Sequence, residues 1–207
     1  EVKLGSTFPC EEGDVIAVRV TSRKSTYNKL ELTTGRFSHL KPGDVVAGAL
    51  GHRRALMGYA GHIPEQIAPG DVLNLLNIGG CLGVCTSSNP DIGPPFECEV
   101  LGQVLHFPYL GERIGVPANI RQGARELTDR LDVGDIPVVA VVGTCMNSGK
   151  TFACTSLIQE FARSRLRVAA AKATGVSLRR DVHAMEDAGA MPFSVLPSSA
   201  CGGRDGR

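Results

Sequence analysis

Tryptophan is absent from these 207 residues, and aromatic residues make up only 5% of the chain. A core of large stacked rings is therefore excluded, and small and β-branched side chains must do the packing. Neither sign of charge is in excess: 22 Lys and Arg against 21 Asp and Glu give a formal net charge of +1. That balance removes the electrostatic case for a nucleic-acid partner or an anionic membrane surface. No apolar run approaches the ~20 residues of a bilayer span, and no basic-then-apolar secretory segment is present. The seven cysteines are scattered, without a dense framework, which predicts reduced thiols and a cytoplasmic protein. The first residue, Glu1 rather than Met, reads as a cropped or processed start. What the chain has in quantity is 25 glycines and 12 prolines, hence many turns. Its length suits one or two domains with a real core.

One phrase recurs in the first half: Glu12-Gly-Asp-Val-Ile16, Pro42-Gly-Asp-Val-Val46 and Pro69-Gly-Asp-Val-Leu73. A turn dipeptide, then Asp, then a β-branched run predicts a turn leading into a strand. The flanking residues do not match, so the phrase reads as shared turn chemistry rather than duplication. Helical periodicity is nearly absent before residue 117. Residues 1–112 are therefore expected to form an all-β, barrel-like antiparallel domain of six or more strands. Within it, the loop 51–64 carries Arg53 and Arg54 among glycines. Either could pair an anion, but ordinary local ion pairing is the stronger reading. Cys81, Cys85 and Cys98 lack the spacing of a metal knuckle and read as buried structural thiols.

Residues 113–135 read as a linker with a short helix near Pro117. Beyond them, strand (138–142), helix (149–163), strand (168–172), helix (182–188) and strand (192–196) alternate. That order predicts a three-layer α/β/α unit with a parallel sheet over 136–207. Three strands make an incomplete sheet, and the polar, Gly-rich stretch after 196 supplies no further central strand. The expectation is that a second copy of the chain or a partner enzyme completes it, or that the chain is part of a longer protein.

The segment Ile136-Pro-Val-Val-Ala-Val-Val-Gly-Thr-Cys-Met-Asn-Ser-Gly-Lys-Thr151 carries the chemistry. An apolar run, a small-residue loop and Gly-Lys-Thr at the start of a helix are the context of a phosphate-binding loop. Such a loop turns backbone N–H groups inward on phosphate oxygens, and the helix start adds partial positive charge. The candidate nucleotide-binding residues are Gly143, Thr144, Cys145, Met146, Asn147, Ser148, Gly149, Lys150, Thr151 and Phe152. Lys150 would reach the β- and γ-phosphates of ATP, and the Thr151 hydroxyl would hold Mg²⁺. Gly149 is expected where a side chain would collide with the nucleotide. The spacing departs from the common pattern, since Thr144 stands where that pattern has its first Gly.

The loop 143–151 resembles that of dethiobiotin synthetases, which begins with the same Gly-Thr. Asn147-Ser-Gly-Lys-Thr151 also resembles the loop of molybdopterin-guanine-dinucleotide biosynthesis adaptor proteins. Arg167-Val-Ala-Ala-Ala-Lys172 is similar to the second strand of those adaptors, and Arg180-Asp181 with Glu186-Asp187-Ala-Gly-Ala190 to their acidic stretch. The match covers about residues 136–197. It implies a P-loop NTPase of the MinD-like class, with Lys172 and Asp181 near the γ-phosphate. There Lys172 would bind substrate anions, and Asp181 would position water or support Mg²⁺. An N-cap role competes for Asp181, which precedes a helical stretch. Cys145 stands where dethiobiotin synthetases carry Asp and MinD-like ATPases a second lysine, so that trans-acting lysine is not implied.

Three functions remain open at this stage. One is an ATP-dependent ligase or kinase acting on a small molecule through Lys150 and Asp181. Another is a nucleotide-binding adaptor with little turnover, and the third is a truncated fragment without catalysis.

Overall fold

The computed structural model describes residues 2–55, 57–109, 111, 113–122, 124, 134–144, 148–173 and 178–191. The chain divides into two compact units. One is centred on Glu1–Gln122; the other comprises Gly123–Lys172 with Arg179–Leu196.

The first unit is all β. Its strands are β1 (Leu4–Gly5), β2 (Val15–Val20), β3 (Lys29–Glu31), β4 (Phe37–His39), β5 (Val45–Leu50), β6 (Tyr59–His62), β7 (Val72–Leu75), β8 (Cys81–Ser88), β9 (Phe96–His106) and β10 (Val116–Pro117). Eight of them form one sheet, ordered β1-β9-β2-β5-β8-β6, with β10 beside β9 and β7 pairing both β8 and β9. β3 and β4 form a separate two-stranded sheet. The long β9 is the spine, since β1, β2, β7 and β10 all pair with it.

The alternation in β2 explains how this sheet packs. Ile16, Val18 and Val20 are buried and Arg19 faces out, a period-2 pattern broken only by Ala17, which is buried as well. They meet Leu50, Leu73, Leu75, Leu82, Phe96, Cys98 and Val100 in one core. With no Trp available, Phe96 and Tyr59 are the largest fully buried side chains.

The recurrent phrase is one turn built three times. Gly13, Gly43 and Gly70 have φ of 93°, 95° and 95°, a conformation that only glycine adopts without strain. The Asp14, Asp44 and Asp71 carboxylates accept from the N–H of Glu11, Lys41 and Ala68 at 2.8, 2.8 and 2.7 Å. Each turn then clasps one residue of a neighbouring strand. Gly43 donates to the Val20 carbonyl at 2.8 Å and the Val20 N–H donates to the Asp44 carbonyl at 2.9 Å. Gly13 and Asp14 hold Leu50 in this way, and Gly70 and Asp71 hold Val100.

Several expectations are corrected. The antiparallel barrel is not found: the eight-stranded sheet is mixed, because β5 and β8 pair in parallel through Ala49–Cys81 and Leu50–Leu82. The helix expected near Pro117 is replaced there by β10, whose edge pairing with β9 overrides weak helical propensity. Cys81 and Cys98 are buried and Cys85 is half-buried.

The three-layer α/β/α unit is also absent. Among the described residues, the second unit holds two helices, α1 (Lys150–Arg163) and α2 (Arg180–Asp187), and no parallel sheet. Residues 138–142 form no strand, and Val138, Val139 and Val142 are 63%, 62% and 85% exposed. Residues 168–172 make only the parallel bridge of Ala169 to Met191. An apolar β-branched run becomes a strand only when a neighbour takes its hydrogen bonds. The strand expected at 192–196 lies outside the described residues. What holds this unit is a small core of Ile158, Met185 and Ala190, flanked by Cys154, Val168, Ala170 and Ala188.

Candidate functional site

The loop before α1 closes on itself. A Cβ added at Gly143 would lie 2.6 Å from Ser148 Oγ and 2.9 Å from Lys150 Cγ. The first and last parts of the loop are therefore in contact, with the Lys150 stem folded over the Gly143 backbone. Lys150 Nζ donates to Ser148 Oγ at 3.0 Å. Gly149 is the N-cap of α1, with φ 82° and ψ 5°. The left-handed backbone is what demands glycine there; a Cβ at Gly149 would meet no protein atom within 4 Å.

This start of α1 suits an anion. The first N–H groups of a helix have no acceptor within it, and the first closed here is Ala153 N–H on the Gly149 carbonyl at 2.9 Å. No side chain caps the N-terminus, and the first turn holds no acidic residue. The helix dipole and Lys150 therefore add with no carboxylate in that turn to offset them. Thr144, Ser148 and Phe152 are exposed, Phe152 at 78%, while Lys150 and Thr151 are half-buried. Cys145, Met146 and Asn147 lie outside the described residues.

Lys172 and Asp181 are brought together. Lys172 Nζ donates to Asp181 Oδ2, and their side chains are 24% and 20% exposed. Asp181 Oδ1 also stands 3.9 Å from Arg180 Nε. Asp181 is not the N-cap of α2; Arg179 is, and Asp181 lies in the first helical turn. There its negative charge favours the helix N-terminus. The structural role expected for Asp181 is thus a first-turn charge rather than a cap, and its carboxylate serves Lys172.

The packing of the two helices orders these groups. Gly189, just after α2, lies against Ala162 in the last turn of α1; a Cβ on Gly189 would stand 2.9 Å from Ala162 Cβ. Met185, one turn past Asp181, shares a core with Cys154, one turn past Lys150. α1 and α2 therefore pack on one small core, with the end of α2 against the last turn of α1. A shallow groove of about 360 Å³ separates them, lined by Phe152, Thr155 and Gln159 of α1 and by Ala184 and Asp187 of α2.

Two further charged groups stand on α2. Arg180 beside Asp181 was legible as adjacent charge. His183, whose Nδ1 lies 3.0 Å from Glu186 Oε2, was legible only as an i, i+3 pair. In the β unit, Arg53 donates to the Leu76 carbonyl and stands 3.5 Å from the Tyr27 hydroxyl, so its guanidinium supports the fold there. Among the described residues no group of three or more His, Cys, Asp or Glu is arranged to hold a metal, and no helix is long and apolar enough to cross a membrane.

No family model matches the chain, and neither a curated protein nor a solved structure matches it.

Proposed function

We propose that this protein binds a nucleoside triphosphate such as ATP at the loop 143–151, in the manner of the P-loop proteins its sequence resembles. One observation carries the reading: the Gly143 backbone lies beneath Ser148 and Lys150 while Gly149 turns the chain into a helix start without acidic residues. That is the arrangement a polyphosphate needs, with backbone N–H groups, a dipole end and an ammonium converging.

Mg²⁺ fits as an ion carried by the nucleotide. The described residues offer no all-protein cage, and Mg²⁺ is ordinarily held by one or two protein oxygens, phosphate and water. Thr151 supplies the hydroxyl, and Asp181 is the acidic candidate beside it in the resemblance. When bound, the ion would neutralise phosphate charge. Lys150 would hold the β- and γ-phosphates, and Lys172 an anionic group of a small-molecule substrate. The reaction this supports is phosphoryl transfer or ATP-dependent ligation, in the cytoplasm where ATP and Mg²⁺ are plentiful. The exposed segment 138–142, which forms no strand among the described residues, favours a second reading, in which a second copy or a partner enzyme completes the unit and turnover by the chain alone is small.

Calorimetry of ATP·Mg²⁺ binding tests the proposal. Lys150→Ala should weaken binding by about 2–4 kcal/mol, the scale of a lost charge-assisted contact. Equal affinity in wild type and variant would overturn it.

A further inference from the structure

The helix that follows the phosphate loop is also one wall of the groove between the two helices. Phe152, Thr155, Ser156 and Gln159 of α1 line one side, and Ala184 and Asp187 of α2 the other. Positions 152, 155, 156 and 159 share one face of a helix by their spacing. That face begins two residues past Lys150 and runs for roughly 10 Å, so the groove is joined to the loop end through the chain itself. Its volume of about 360 Å³ falls within the ~300–1,000 Å³ of small-ligand sites. The two ends differ in chemistry. At the helix start there is an ammonium and no acidic residue in the first turn. The groove is rich in acceptors instead. Thr155 Oγ1 and Ser156 Oγ both donate to the Phe152 carbonyl at 2.9 Å. Each hydroxyl thereby spends its one proton and keeps its lone pairs as acceptors. Asp187, exposed, adds a carboxylate. Phe152, 78% exposed, is the most exposed aromatic side chain among the described residues.

We infer that this groove receives the nucleoside half of the nucleotide, with the base stacked on Phe152 and the N–H and O–H donors of base and ribose directed at Asp187, Thr155 and Ser156. The inference rests on the nucleotide-binding reading above and adds the part of the ligand that the loop does not touch. An aromatic face takes a base of any sequence type, since every base has a π-face. The acceptors choose among occupants. A carboxylate repels a second anion, which keeps phosphate at the loop and out of the groove. A purely apolar occupant would leave the carboxylate and both hydroxyls without the water they now contact, a desolvation cost with no return. A ribonucleoside bearing an exocyclic amine is aromatic, uncharged and rich in donors, and so meets all three conditions.

Calorimetry on the whole chain tests this by comparing ATP with inorganic tripolyphosphate, which carries the phosphates alone. Wild type should bind ATP more tightly than tripolyphosphate, and the ratio of the two affinities is the readout. Phe152→Ala should lower that ratio about fivefold to a hundredfold, the range for losing a base–aromatic stack. Asp187→Ala should lower it about threefold to tenfold, as for one hydrogen bond. Phe152→Tyr keeps the ring and should keep the ratio. Both side chains are exposed, so neither truncation opens the core. Equal affinity of wild type for the two ligands, or a ratio unmoved by Phe152→Ala or by Asp187→Ala, overturns the assignment of the groove. Tripolyphosphate affinity unchanged by Lys150→Ala overturns instead the phosphate-loop reading beneath it.

Discussion

Gly143 and Ser148 are so close that one added methyl group would bring them to 2.6 Å. The same methyl would stand 2.9 Å from Lys150 Cγ, so the loop closes only over bare backbone. Gly143→Ala is expected to displace Lys150 and Ser148 rather than unfold the helix, since both neighbours are flexible side chains. The cost to ATP binding should be about 1–3 kcal/mol, the scale of overpacking at a tight contact. Circular dichroism should show unchanged helicity. Wild-type ATP affinity in Gly143→Ala would show that the closure has no part in binding.

Phosphate release by the chain alone should be slow. Phosphoryl transfer is mostly positioning and charge stabilisation, and Asp181, the acidic residue the proposal relies on, is engaged by Lys172. A steady-state phosphate assay is expected to read far below the ~1–10³ per second of typical enzymes. Turnover within that range, lost in Asp181→Ala, would mean that the site is catalytically complete.

Two glycines separate backbone strain from crowding. At Gly43, with φ 95°, a Cβ meets nothing within 4 Å, so Gly43→Ala should cost about 1 kcal/mol through the backbone alone. At Gly48 a Cβ would meet the Gly80 carbonyl oxygen at 2.7 Å, and backbone cannot yield as a side chain does. Gly48→Ala should therefore destabilise more, by roughly 2–3 kcal/mol. Urea unfolding followed by tyrosine fluorescence ranks the two, and the reverse order would contradict the account.

Alkaline pH should loosen the β unit through Tyr59. Burial first, then the neighbouring Tyr27 and Cys85, push its phenol up to about 12 from an ordinary value of 10. Its hydroxyl accepts from Lys24 at 2.8 Å and donates to the Gly93 carbonyl at 3.1 Å. The folded state favours the protonated phenol. Its contribution is thus whole below pH 10 and lost as pH rises from 10 through 12. Cys98, buried and also raised to about 12 from 9, adds a loss that begins near pH 9. Tyr59→Phe should flatten the fall in unfolding free energy between pH 10 and 11. An identical slope in wild type and variant would contradict this.

Local chemistry was the readable part. The turn at Pro42-Gly-Asp44 was legible because Gly supplies the left-handed φ and Asp the carboxylate that closes it. The helix after Gly149 was legible from its pattern, and α1 runs Lys150–Arg163. The pairing of Asp181 with Lys172 was not, because the two stand nine residues apart and no local periodicity brings them together. The parallel β5–β8 contact was equally hidden, since alternation shows which face is apolar but not which strand lies beside it.

The sequence by itself determined where this chain turns, which residues of β2 face the main core, and where Gly149 starts a helix. Those properties follow from φ preferences, period-2 alternation and the N-terminal N–H groups of a helix, all set within a few residues. Only tertiary structure decided that Val138, Val139 and Val142 stay exposed and unpaired while Val15–Val20, no richer in β-branched residues, becomes a central strand. A strand exists through the donors and acceptors of another segment. β2 finds them in β5 and β9, and residues 138–142 find none among the described residues.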